Sequence, residues 1–249
     1  MRKSEEADQG QADLFEIQSR PSQKSGSDHS FLNLEDFDLE TLKSLSLEAY
    51  TAALHACMSE LPVERDIAQF IEKVIAAGGN DLASPEARTA AGKACLDRGA
   101  PSVLAVLNAA YKTSREIERL LGLLRFSPID GGFYVARCAP DCFVLPALAE
   151  HFTLRFGDIP WAIIDEKRGL CLIRFAGEEA RMESLDSEIV RPVKLQMPPF
   201  GAASGDAWEN LWRLYHRSVN IENRKNLGLQ RQLMPVRYWK YLPEANAKV

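Results

Sequence analysis

Pro160 to Phe175 reads PWAIIDEKRGLCLIRF, and this stretch decides the fold. Two short apolar runs, PWAIID and LCLIRF, flank Glu166-Lys167-Arg168-Gly169, a charged turn that contains a glycine. That pattern reads as a β-hairpin. Upstream, Gly131-Gly132 precede FYVARCA, a further strand candidate, and the segment from about Asp141 to Arg155 reads as a helix with Pro146 in or near its first turn. Residues 180 to 185 add another strand. Arg191 to Phe200, RPVKLQMPPF, reads as a linker without regular structure.

From Leu39 to Leu124 the apolar spacing is helical throughout. Leu47, Tyr50, Leu54, Cys57, Met58 and Leu61 fall on one face, and Ile67, Phe70, Ile71 and Val74 make the next stripe. Pro62 suits a first helical turn, and Gly78-Gly79 suits a helix end. Ser84-Pro85 starts another helix that ends near Gly99, and Pro101 starts a fourth. Thr113 and Glu116 have capping-box spacing, which places the start of a fifth helix there. Beyond the linker, Asp206 and Glu209 cap a final helix whose Trp208, Leu211, Trp212, Tyr215 and Val219 form an apolar stripe.

The expected fold class is therefore α+β, with a helical N-terminal layer, a small mainly antiparallel sheet with a crossing helix, and a C-terminal helix with an ordered basic-aromatic tail. Residues 1–34 read as a disordered leader, and 35–249 as a single α+β domain. Within it the helical part is 35–124, the sheet part 125–190, and the C-terminal helix and tail 204–244.

With 249 residues, 46% hydrophobic and 26% charged, the chain has the composition of a soluble globular protein with a real core. No run of about 18 apolar residues occurs, so no membrane span is expected. MRKSEEADQG lacks the apolar stretch of a secretory signal. Five cysteines (57, 95, 138, 142, 171), without CxxC pairing, read as reduced thiols of a cytoplasmic protein.

Charge is unevenly distributed. The net charge is −5, yet Trp208 to Leu242 holds seven cations (Arg213, Arg217, Arg224, Lys225, Arg231, Arg237, Lys240) against Glu209 and Glu222, a net of +5. Cations that neutralise phosphate, amides such as Asn226 and Gln230, and rings such as Tyr238 and Trp239 are what a nucleic-acid surface needs. A solvated basic helix followed by aromatic core anchors fits the same residues.

The leader contains Gln11-Ala12-Asp13-Leu14-Phe15. It resembles the pentapeptide by which bacterial polymerases and repair proteins dock on the DNA sliding clamp. Leu14 and Phe15 are the apolar anchors, while Gln11 and Asp13 set register by hydrogen bonds.

Leu123 to Phe126 (LLRF), Tyr134 to Asp141 (YVARCAPD), Val144 to Phe152 (VLPALAEHF), Pro160 to Gly169, and Leu229 to Glu244 (LQRQLMPVRYWKYLPE) carry a wider resemblance. From about Leu47 to Glu244 the chain resembles an uncharacterised bacterial family designated DNA metabolism proteins. The resemblance implies companionship with a radical-SAM protein similar to photoproduct lyases, and some members are fused to a uracil-DNA glycosylase domain. With the sequence ending at Val249, no glycosylase domain is expected to follow. The chain lacks a CxxxCxxC cluster, so radical chemistry would come from the partner. No settled catalytic activity accompanies the resemblance.

Candidates for independent catalysis are weak. Cys138, Cys142, His151 and Cys171 invite a zinc reading, and Cys142 with His151 a nucleophile pair, but buried small-hydrophobe cysteines are the simpler expectation. Asp165 and Glu166 with Glu150 suggest a metal, although a solvated hairpin turn is simpler. No P-loop, GxGxxG or HExxH occurs. No cofactor or metal is expected, and no catalytic residue is assigned. Arg125, Arg137, Arg155 and Arg168 either extend the basic surface or form structural salt bridges.

The expected function is an accessory protein of bacterial DNA repair that binds DNA or a DNA-bound repair enzyme, tethered to the sliding clamp. A protein-interaction module for the radical-SAM partner and a lesion-processing enzyme are the alternatives.

Overall fold

The computed structural model describes residues 37–79, 84–196 and 207–245. They form a mixed α+β protein divided into two compact units, a helical one reaching Glu116 and including residues 141–144, and a sheet unit holding the remainder from Ile117 onward.

In the helical unit, α1 (Leu39–Leu45) begins where the Asp38 carboxylate accepts from the Thr41 amide at 2.9 Å. Ser46 caps α2 (Leu47–Met58) in the same way, through the Ala49 amide at 3.1 Å. Such caps satisfy amides that have no intrahelical partner. The stripe Ile67, Phe70, Ile71 and Val74 of α3 (Glu64–Gly78) is buried, as its spacing requires. Gly78 is demanded by packing, because a Cβ there would meet Leu45 Cδ2 at 2.6 Å, and Gly79 then ends the helix at φ +68°. Ser84 caps α4 (Pro85–Cys95), which stops short of the expected Gly99.

One expectation fails in α5, which runs unbroken from Pro101 to Leu123 with no new start at Thr113. The capping-box pair is used elsewhere. Buried Thr113 donates its hydroxyl to the carbonyl of His55 at 2.7 Å. Buried Glu116 accepts from the amides of Asp141 at 3.0 Å and Cys142 at 2.6 Å. Neither residue has cause to leave helical geometry, and no glycine or proline nearby forces a break.

The sheet unit has five strands in the order β1 (Phe126–Pro128), β2 (Tyr134–Cys138), β3 (Trp161–Asp165), β4 (Leu170–Arg174) and β5 (Arg181–Ser184). Strands β2 and β3 are parallel, joined through α6 (Leu145–Phe156), and the other three pairings are antiparallel. A parallel neighbour needs such a crossover, whereas β3 and β4 need only the Glu166–Gly169 turn, where Gly169 has φ +65°. β3 is buried at every position because both faces are covered. Ala162, Ile164, Cys171 and Ile173 pack with Val190 and Val193 on one face. The Trp161 ring lies 6.2 Å from Phe152 of α6.

The expected structureless linker is corrected over its first half, where Arg191–Leu195 form a short helix, α7. Pro192 is tolerated in a first turn, and Val190 and Val193, three apart, reach the sheet together. Among the described residues no helix is long and apolar enough to cross a membrane.

Replacing Glu116 by alanine leaves two buried amides without an acceptor. It is expected to destabilise the protein by about 2–4 kcal/mol, measured by denaturant unfolding.

Candidate nucleic-acid interface

The cationic C-terminal segment consists of α8 (Ala207–Val219), a 3-10 turn at Glu222–Arg224, α9 (Leu227–Leu233) and a second 3-10 turn at Val236–Tyr241. Its end is fixed to the sheet. Tyr238 is only 2% exposed, Leu242 is buried, and the second turn packs against β2. The Tyr241 hydroxyl donates to Glu166 at 2.9 Å, with Lys240 Nζ 3.6 Å from the same carboxylate. Burial first, and then the Glu166 carboxylate, push the Tyr241 phenol up, so it remains a protonated donor. The indole N–H of Trp239 donates to the carbonyl of Met234 at 2.9 Å, closing the tail on itself.

Glu244 makes the strongest of these attachments, accepting from the Arg125 guanidinium at 2.7 Å. Burial opposes its ionisation, but the Arg125 hydrogen bond and charge prevail and hold its carboxyl below the ordinary value. Arg125 also lies 5.7 Å over the Trp212 ring, so one cation serves the tail and α8 together.

Most of the sequence-derived site residues point outward. Arg217, Arg224, Lys225, Gln230, Arg231, Arg237 and Lys240 are exposed, and Arg213 is half-buried. Asn226 is exposed but its side-chain oxygen caps α9 through the Leu229 amide at 3.0 Å, which leaves only its N–H groups for other partners. Tyr238 takes the anchoring role of the two considered for it, since a buried ring has no face for a base. The Arg237 guanidinium lies 4.8 Å over that ring and donates to its hydroxyl at 3.2 Å. Trp239 is half-buried. Gln11, Asp13, Leu14 and Phe15 lie outside the described residues.

In the apolar stripe of α8, Trp212 is 40% exposed and Tyr215 55%, with their rings 5.8 Å apart. Helical spacing shows that such residues share a face but does not say whether anything covers it, which is why they escaped notice as site candidates.

Several of the other sequence candidates have structural roles. Asp165 is buried, not solvated as expected for the turn. It pairs with Arg168 at 2.7 Å and accepts from the amides of Lys167 and Arg168. Burial pushes its carboxyl up, against the pull of Arg168. Arg168 also donates to the carbonyl of Pro140 at 3.1 Å. Of the four arginines considered for the basic surface, Arg125 and Arg168 are thus engaged in ion pairs. Cys138 donates to the carbonyl of Ile164, and burial pushes the thiols of Cys142 up to about 11 and Cys171 up to about 12. Thiols so placed stay protonated near neutrality and are poor nucleophiles. His151 and Glu150 are exposed on α6. Among the described residues no cluster of His, Cys, Asp and Glu could hold a metal ion.

Residues 84–244, which include most of the helices and the whole five-stranded sheet, match a family described as a domain of unknown function, DUF4130. The chain belongs to that family. No curated protein and no solved structure matches it.

Glu244→Gln is expected to lower stability by about 1–3 kcal/mol. Because the folded carboxyl titrates below its ordinary value of 4.5, its contribution is complete above that pH and disappears as the pH falls through the lower folded value. Unfolding curves across that acid window should converge for wild type and variant at the low end. A constant gap at every pH would show that the ion pair does not hold the tail.

Proposed function

We propose that the protein is an accessory factor of DNA metabolism that binds DNA through the segment from α8 to the second 3-10 turn and is tethered to the sliding clamp by Gln11, Asp13, Leu14 and Phe15. The observation that carries this reading is the outward placement of Arg217, Arg224, Lys225, Arg231 and Lys240 on a segment pinned to a folded base by Tyr238 and Glu244. Between Asn210 and Pro243 the sequence contains one acid, Glu222, and Lys240 also lies 3.6 Å from Glu166. A rigidly held cationic row meets a phosphate backbone without the ordering cost of a loose tail. The likeness of the YVARCAPD and MPVRYWKYLPE stretches to DNA metabolism proteins supports the same process. The QADLF leader supports it independently. In this reading Arg213 adds a phosphate contact, Arg237 adds one beside its bond to Tyr238, Asn226 and Gln230 donate amide hydrogen bonds, and Trp239 offers its open face.

A second reading, an interaction module for a radical-SAM partner without direct DNA contact, is favoured by one observation. Leu214 is 63% exposed, and Leu227, Leu229 and Leu233 of α9 are exposed as well. Apolar surface on that scale is more usual at protein interfaces than against phosphates.

Fluorescence anisotropy with a short labelled oligonucleotide decides between them. The expected result is saturable binding that weakens steeply with salt, with Arg217→Ala and Arg231→Ala each reducing the salt slope by about one. No binding at low salt, or binding indifferent to salt, would remove direct DNA contact and leave the interaction module. Separately, a peptide covering residues 8–19 should bind the sliding clamp saturably. Silence up to millimolar concentration would end the tether.

A further inference from the structure

α8 presents an unusual surface. Projected at 100° per residue, Leu214, Leu211, Tyr215, Val219 and Trp212 fall within an arc of about 160°. Each of the five is exposed, although the Arg125 guanidinium lies over the Trp212 ring at one edge of the arc. On the other side of the same helix stand Arg213 and Arg217, with His216 and one acid, Glu209. A surface that is apolar along one side and cationic along the other calls for an occupant with apolar side chains and carboxylates interleaved. A second copy of the helix has no carboxylate between Asn210 and Val219 to set against those cations, so it is the poorer occupant.

The chain carries a segment of the required chemistry. Asp13-Leu14-Phe15-Glu16-Ile17 alternates two acids with three large apolar residues, and from Asp8 to Ser19 there are three acids and no base. Met197 to Ala203, adjacent to α8 in sequence, is apolar but carries no charge. Reach is no obstacle. The 21 residues between Phe15 and Phe37 can span about 70 Å when extended, well beyond the radius of about 18 Å expected for a chain this long. Covalent attachment places the segment near its target at an effective concentration in the millimolar range, so a weak contact suffices.

We propose that the Asp13–Ile17 segment of the chain's own leader docks on the apolar face of α8, with Leu14, Phe15 and Ile17 against Leu211, Tyr215 and Val219, and with Asp13 and Glu16 towards Arg213 and Arg217. The inference stands independently of DNA binding. It has a consequence for the clamp reading, since Leu14 and Phe15 cannot occupy α8 and the clamp at once. Capture by the clamp would therefore uncover α8.

Hydrogen exchange on the full-length protein tests this directly. Amides of residues 207–219 should exchange several-fold faster in a Leu14→Ala/Phe15→Ala variant than in wild type. A peptide of residues 8–19 added to that variant should restore slow exchange saturably, and should do so less well in about 0.5 M salt, where charge contacts are screened. Leu214→Glu in wild type, a change at a surface position, should mimic the loss. Equal exchange of α8 in wild type and the leader variant would overturn the proposal. So would protection by the peptide that maps outside α8, or no protection at any concentration. None of these readouts involves DNA, so the proposed function and this inference can fail separately.

Discussion

The bond between Arg125 and Glu244 holds the C-terminal third of the sheet unit in place. It joins Arg125, two residues beyond the end of α5, to a residue 119 positions away, and it works together with the burial of Tyr238 and the hydrogen bond from Tyr241 to Glu166. Without these attachments the segment from α8 onward would be a basic tail whose cations sample many positions. With them, the cations project from a fixed base. Specific charge-assisted bonds achieve this at the cost of desolvating a carboxylate, which is why Glu244 needs the guanidinium beside it.

Buried carboxylates do similar work elsewhere. Glu116 brackets two consecutive amides of the 141–144 segment, and Asp165 brackets two consecutive amides of the β3–β4 turn. Each acid replaces a secondary-structure partner that an irregular backbone lacks. Asp165, which the sequence offered as a metal candidate with Glu166 and Glu150, has a structural role here, and the oxygens of both acids accept hydrogen bonds from the chain's own groups.

The fold was legible where periodicity and punctuation coincide. PWAIID-EKRG-LCLIRF announced β3 and β4, FYVARCA announced β2, and Gly78-Gly79, Ser84-Pro85 and Pro101 marked helix boundaries correctly. Thr113 and Glu116 misled because a capping box and a pair of tertiary hydrogen-bonding residues share the same spacing. The linker misled because its three prolines concealed the packing of Val190 and Val193 on the sheet, a face no local pattern reveals. In the candidate site, the location of the cations was readable, but the division of labour among the rings was not. Tyr238 and Trp212 differ in burial because of what lies opposite them, Tyr238 within the sheet unit and Trp212 beneath a single guanidinium.

The complete burial of β3 removes the usual means of fixing strand alignment. Where one side of a strand is wet, alternation of polar and apolar residues selects the pairing. Here neither side is wet, and Trp161, Ala162, Ile163 and Ile164 are all acceptable to an apolar environment. Size takes over that task. A slip by one residue would turn the indole of Trp161 into the space beside Val135 and Ile173, which Ala162 fills with a single methyl group. The smallest and the largest side chains of the strand, Ala162 and Trp161, stand next to each other in sequence and on opposite sides, so misalignment is rejected by volume.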